Sequence, residues 1–256
     1  TTQFKSAINN ALQDPDRARR FTSSIVSAVS TNPALQECDA STIVTAALLG
    51  ESLNLSPSPQ LGQYYLVPFN DSKRGGKVAQ FQLGYKGYMQ LAMRSGEIKK
   101  LVAIEVKEGE LVKYNPFDGE FEANYIEDED VREQTPTVGY YAMFELTNGF
   151  RQILYWTKAK MERHALQFSN GYKAKKGYTF WEKDFDSMAR KTMLRQIISK
   201  GGCPMSIEMQ KAYEADMGVV NDDNTITYID SPDADDTIPA ETVSTEVSKE
   251  VSLDEL

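Results

Sequence analysis

A chain of 256 residues, 41% hydrophobic and 25% charged, can bury one sizeable core or two smaller ones. No run reaches the roughly 18 consecutive apolar residues of a membrane span, and the first residues lack the charged-then-apolar pattern of a secretory signal. Cys38 and Cys203 stand far apart without a CxxC spacing, which argues against a disulfide framework or a thiolate zinc site and makes a cytoplasmic protein the expectation.

The net charge of −9 conceals a segregation. Residues 213–256 carry 13 acidic side chains and one lysine, so residues 1–212 sum to +3. A second acidic block, Glu105 to Glu133, holds 11 acidic and 3 basic residues, and without it the body stands at +11. A pI near 4.8 would argue against a polyanionic partner if charge were evenly spread; a basic body between acidic segments can attract one.

In chain order, Asp14-Pro15 joins a capping side chain to a proline at the first helical position, and Phe21, Ile25, Ala28 and Val29 form a helical face up to Asn32-Pro33. Arg17, Arg19 and Arg20 crowd the first turn, where cations oppose the helix dipole; they are either a functional patch or an exposed cluster. A second helix is predicted from Asp39 through Ile43, Ala46, Ala47 and Leu53, stopped by Ser56-Pro57-Ser58-Pro59. Leu61 to Phe69 and Val78 to Leu83 read as strands. Between them, Asn70 to Lys77 is a glycine-bearing hairpin loop whose Lys73, Arg74 and Lys77 could reach into a groove.

The stretch Gly84-Tyr-Lys-Gly-Tyr-Met-Gln-Leu-Ala-Met-Arg-Ser-Gly96 predicts an amphipathic helix between two glycines. Tyr85, Tyr88, Met89 and Ala92 share its apolar face, and Lys86, Gln90 and Arg94 form a polar stripe at i, i+4, i+8. Such a helix suits a phosphate backbone, although taken alone the pattern is more often that of a core helix with one solvated side. Ile98 to Lys107 reads as a strand that opens on Lys99 and Lys100. Glu108 to Gln134 is polar and acidic, with a turn at Asn115 to Gly119 and a solvated loop at Glu127 to Asp130, whose adjacent carboxylates diverge rather than converge on a metal. Thr137 to Leu146 and Phe150 to Trp156 predict a hairpin about Thr147-Asn148-Gly149, continuing the first strands as a β-meander.

Thr157 then caps a helix from Lys158 to about Phe168 that presents Lys158, Lys160 and Arg163. In Asn170 to Lys183, Lys173, Lys175 and Lys176 alternate with Tyr172, Tyr178, Phe180 and Trp181, the composition of a flexible loop that tracks phosphates and stacks bases. A long helix is expected from Trp181 to about Lys200, burying Trp181, Phe185, Met188, Ala189, Thr192 and Met193 and presenting Arg190, Lys191 and Arg195. Residues 151–200 hold 12 basic and 4 acidic side chains. From about Asn221 the composition is that of a disordered acidic tail.

Some chemistry is missing. With His164 alone, neither a multi-histidine metal site nor a supported Ser-His-Asp arrangement can be built, and no G-x-x-x-x-G-K-[ST] loop occurs. An ATP-driven enzyme is disfavoured and no cofactor is expected.

At Leu61-Gly-Gln-Tyr-Tyr-Leu-Val-Pro-Phe69, at Gly84 to Glu97 and at Met188-Ala-Arg-Lys-Thr-Met-Leu-Arg195, the chain closely resembles the RecT family of phage and prophage single-strand annealing proteins. The resemblance covers about residues 35–212. It implies a non-enzymatic protein that binds single-stranded DNA and an annealed duplex intermediate, and pairs complementary strands without ATP. It also implies ring or helical homo-oligomers, a phage exonuclease that exposes the strand, and no membrane. A host single-strand-binding protein is a further possible partner. The implied fold is α+β, a Rad52-like core with an antiparallel β-sheet packed on a long helix. Residues 1–220 would form a single annealing domain, helical over 1–56 and α+β over 57–220, followed by the tail at 221–256.

The family motifs fall here on Lys86 and Arg94 and on Arg190, Lys191 and Arg195; charge adds Lys73, Arg74, Lys77, Lys99, Lys100, Lys158, Lys160, Lys173, Lys175 and Lys176, and the interleaved aromatics add Trp181, as DNA-binding candidates. Two rivals stay open. One is a metal-dependent DNA nuclease using some of Glu105, Asp118 and Glu120, and the other a phage interaction protein that docks a host factor through its acidic tail.

Overall fold

The computed structural model describes residues 2–71, 74–177, 179–221, 223 and 225–228; the tail beyond them, Lys73 and Tyr178 lie outside the described residues. In chain order the elements are α1 (Thr2–Leu12), α2 (Pro15–Ser30), α3 (Pro33–Gln36), α4 (Ala40–Ser52), β1 (Tyr64–Asp71), β2 (Gly76–Leu83), α5 (Tyr85–Arg94), β3 (Ile98–Lys107), β4 (Leu111–Asn115) and β5 (Glu120–Ala123). There follow α6 (Glu129–Gln134), β6 (Thr137–Leu146), β7 (Arg151–Thr157), α7 (Lys158–Phe168), α8 (Asn170–Lys173), α9 (Phe180–Lys183), α10 (Phe185–Lys200), α11 (Ile207–Ala215), β8 (Gly218–Val220) and β9 (Ile226–Tyr228). They group into two compact units, one built from the chain up to Leu83 and from Glu214 onward, the other from Gly84 to Tyr213.

In the first unit, the Asp14 carboxylate accepts from the backbone N–H of Asp16 and Arg17, and Asp39 accepts from Ser41 N–H, so α2 and α4 start where their caps predict. The hairpin β1–β2 runs in register from Tyr64 opposite Leu83 to Asp71 opposite Gly76. It does not continue into β3 as a meander. The sheet order is β1-β2-β8-β9, so strands from the far end of the chain complete it. Each of β8 and β9 has three residues, too few for periodicity to reveal, and β9 falls within the stretch expected to be a disordered tail.

Helix α4 is fixed on this sheet through its threonines. Thr42 Oγ1 accepts from Ala79 N–H at 2.9 Å, and Thr45 Oγ1 donates to the Val220 carbonyl at 2.6 Å. Buried Asp216 accepts from Leu83 N–H at 2.8 Å. At the centre, Tyr64 stacks on Phe81 with ring centroids 5.1 Å apart, and Gly50 of α4 gives the tyrosine room.

The second unit is built on a three-stranded antiparallel sheet, β3-β6-β7, with β6 in the middle. Alternation along β6 separates two buried sets. Tyr140 and Phe144 face one side, where α10, α7 and α5 pack; Tyr140 Oη donates to Asp186 of α10 at 2.6 Å. Tyr141 and Met143 face the other side with Val106 and Ile153, and there Leu111, Tyr114 and Phe121 of the hairpin β4–β5 cover them. Phe121 lies 4.2 Å from Tyr141, ring to ring. The antiparallel sheet packed on a long helix is therefore present in this unit.

Several local expectations change. In α5 the buried positions are Gly87, Tyr88, Leu91 and Ala92, with Tyr85 and Met89 only half-buried, so the apolar face is rotated from the predicted one; Lys86 and Arg94 are exposed. The solvated loop at Glu127 to Asp130 instead leads into α6, because Asp128 accepts from Val131 N–H and caps it. The long helix starts at Phe185 rather than Trp181, because the Asp184 carboxylate caps Ser187 N–H and breaks α9 from α10. The loop ahead of it is partly ordered, since Thr179 and Glu182 form a capping box. Helix α1, which has no strong cap signal, went unread.

Two predictions follow from this packing. A Cβ on Gly50 would lie 2.3 Å from Cζ of buried Tyr64, so Gly50→Ala is expected to lower stability by about 2 kcal/mol in denaturant melts, and Tyr64→Leu in the same chain to restore part of it. The Glu110–Arg132 pair, 2.7 Å apart with side chains 5% and 17% exposed, holds the turn after β3; Glu110 also accepts from the N–H groups of Lys107 and Ile126. Burial is the largest single influence on the Glu110 carboxyl and raises it, but Arg132 and the two N–H groups together outweigh it and hold it below its ordinary 4.5. The stability this group contributes is present above about pH 4.5 and lost as pH falls. Glu110→Gln should therefore cost about 3 kcal/mol at pH 7, and the gap between variant and parent should close in melts taken below that pH.

Candidate nucleic-acid interface

The hairpin β1–β2 of the first unit holds its described cations against acids. Arg74 Nε is 3.5 Å from Asp71 and its guanidinium donates to Asn221 Oδ1, while Lys77 is half-buried and paired with Glu37, whose carboxylate raises the lysine above its usual range. Part of their charge is spent within the unit.

The second unit gathers the remaining candidates, with the two ends of β3 and the helical face contributing differently. Lys100 is exposed, whereas Lys99 pairs with Glu145 and holds that carboxyl low. Lys158, Lys173, Lys175 and Lys176 are exposed, and Lys175 takes a left-handed backbone conformation, φ 51°, at the turn after α8. Arg190 is half-buried, donating to Glu105 at 3.2 Å and to Ser187 at 2.9 Å. Its neighbour Lys191 is also half-buried, and Arg195 lies over the Tyr213 ring at 4.7 Å. Of the late-helix cations, Arg190 thus serves partly as a tie between α10 and β3.

Trp181 requires a correction. Its ring is 8% exposed, packed on Phe185 at 5.1 Å and Tyr172 at 6.3 Å. A ring covered in this way offers no face to a base, and it supports the loop instead. Phe180, next to it, is the aromatic that stands exposed.

A cluster on α7 and α10 was only partly anticipated. Lys160 Nζ sits 4.4 Å from the Trp156 ring centroid. Burial, then Arg163 and Lys200, lower its pKa, which places all three cations in one local field. His164 is lowered by burial, then by Lys200 and Arg195, so its imidazole is neutral near pH 7. Lys200, Trp156, His164 and Phe168 had not been selected as site residues, although Lys160, His164 and Phe168 stand at i, i+4, i+8 and that spacing could have found them.

The residues of the nuclease reading are differently occupied. Glu105 is bound to Arg190, Glu120 pairs with Lys113, and Asp118 accepts from Asn115 within its turn. Among the described residues no group of three or more His, Cys, Asp or Glu side chains is placed to hold a metal ion, and no helix is long and apolar enough to cross a membrane.

The basic segment thus supplies much of the helical side of the sheet and the acidic block the hairpin side, with Glu105 and Asp186 standing among the helices, bound to Arg190 and Tyr140, and Lys113 and Arg132 paired within the acidic block. A non-specific polyanion site has this form: many cations and little fixed geometry for reading bases. The model of the RecT family matches residues 19–228. The uncharacterized protein YqaK of Bacillus subtilis (strain 168) is 42% identical over 214 residues, 84% of this chain and 67% of that one. Protein RecT of Escherichia coli (strain K12) is 32% identical over 186 residues, 72% of this chain and 65% of that one. The match spans about two thirds of the length of these relatives. With a family match running through both compact units, this chain belongs to the RecT family.

Proposed function

We propose that this protein binds single-stranded DNA and promotes ATP-independent annealing of complementary strands in phage recombination, acting as an oligomeric ring or helical filament. Family membership supports a recombination and annealing protein. The observation that carries the DNA reading is the collection of exposed cations on the helical face of the second unit, from Lys86 and Arg94 on α5 to Lys158 on α7, Lys173 to Lys176 after it, and Lys200. Residues 1–220 act in this reading as one annealing domain with a Rad52-like core. It works in the cytoplasm beside an exonuclease that exposes the strand, and a host single-strand-binding protein is a further candidate partner.

The chemistry is electrostatic. Annealing must accept any sequence, so the protein holds backbones and leaves base edges to the incoming strand, where pairing itself tests complementarity. Each phosphate neutralised on a single strand adds about 0.7 to the salt slope of binding. Residues such as Lys99 and Lys77, which already share their charge with a carboxylate, contribute less than cations that do not. Non-enzymatic action follows because no covalent step is needed.

Two outcomes test the reading. Complementary oligonucleotides in ATP-free buffer should anneal faster with the protein than without it, and an unchanged rate would refute it. Lys173→Ala with Lys175→Ala should lower the salt slope of single-strand binding by about 1.4 without changing the melting temperature, whereas Lys99→Ala should change it little.

A further inference from the structure

The aromatic row at the junction of β7 and α7 lies beside the residues that seat the helix, with Trp156 and His164 half-buried and Phe168 exposed. Met161 and Ala165, both fully buried, seat α7 on the sheet. On another side of α7, Lys160, His164 and Phe168 follow at one-turn spacing, and Trp156 from the end of β7 lies under the first turn. The rings connect: Trp156 to His164 at 5.5 Å, His164 to Phe168 at 4.5 Å. Phe168 is 63% exposed, so burial does not explain it.

We infer that His164 and Phe168, with Trp156 seating Lys160 beside them and Arg163 and Lys200 nearby, form a nucleotide subsite that takes a short run of single-stranded DNA, bases against His164 and Phe168 and phosphates against the cations. This inference rests on the DNA-binding reading above and goes beyond it, because it assigns base contact to a specific place. From Lys160 to Phe168 the stripe is about 12 Å long, the rise of roughly three stacked nucleotides. Arg163 and Lys200 share one field with Lys160, whose ammonium sits over the Trp156 ring, so Trp156 seats that cation while His164 and Phe168 are the rings turned to a base. A neutral imidazole completes the row as an aromatic surface, because burial and the cations Lys200 and Arg195 disfavour its protonation. Phe168 is the open end, where a base can stack without displacing a side chain.

An acidic peptide could use the same cations but has no need of an exposed stacking face. The test therefore compares binding of oligo-dT with an abasic strand of equal length, which keeps the phosphates and lacks the bases. Phe168→Ala is expected to weaken oligo-dT binding by about 10-fold, and abasic binding by less than about 2-fold, with the salt slope unchanged. Phe168→Trp should keep the parental affinity, and circular dichroism of both variants should match the parent, as expected at an exposed position. Lys160→Gln with Lys200→Gln should instead weaken both strands alike and flatten the salt dependence. If Phe168→Ala binds oligo-dT as the parent does, or loses both strands equally, the subsite is refuted while DNA binding stands. If the parent binds neither strand, the DNA-binding reading itself fails.

Discussion

Strand β6 is buried on both faces, and the second unit depends on that constraint. A strand with one solvated side would have a single core to satisfy; β6 needs two covers, and the chain supplies them from different places. Tyr140 and Phe144 require a helical layer, which α10 provides with a hydrogen bond from Tyr140 to Asp186. Tyr141 and Met143 require an apolar lid, which Tyr114 and Phe121 bring on a short hairpin. A two-stranded hairpin is marginal by itself, so β4–β5 and the sheet stabilise one another.

That double cover also sorts the charge. The hairpin comes from the acidic block and α7 and α10 from the basic segment, so the two stretches cover opposite sides of one sheet, with Glu105 reaching the helical side to meet Arg190. Concentrating cations on one side raises self-repulsion, and the protein relieves it selectively. Arg190 is tied to Glu105 and Lys99 to Glu145, which separates cations engaged with a carboxylate from those that are not. The distinction matters physically, because a cation already paired must give up part of that pairing to hold a phosphate.

The legible parts of the sequence were those with strong local chemistry. Asp14-Pro15, Asp39 and Thr157 fixed helix starts because a capping side chain acts within its own turn. The β6–β7 hairpin followed from alternation around Thr147-Asn148-Gly149. What could not be read were non-local choices: that β1–β2 would finish its sheet with β8 and β9, and that Asp184 would cap a new helix rather than sit inside one. For the site, charge located the cations but could not tell an exposed lysine from one facing a carboxylate. Nor could aromatic content distinguish buried Trp181 from exposed Phe180 and Phe168, since composition does not specify which side of a turn faces the core.

The difference between a buried and an exposed ring bears directly on how annealing could work. A strand held only by its phosphates keeps its bases free but disordered, and the entropy of ordering them then falls on the pairing step. A strand held by deep stacking has ordered bases that must be stripped from the protein before they can pair. An exposed stripe with one open aromatic end lies between these limits. It can align a few bases in a stacked row, at a cost to pairing no larger than one weak stacking contact, while the surrounding cations carry most of the affinity. With Trp181 turned inward and Phe168 outward, the proposed subsite would have the form that this compromise requires.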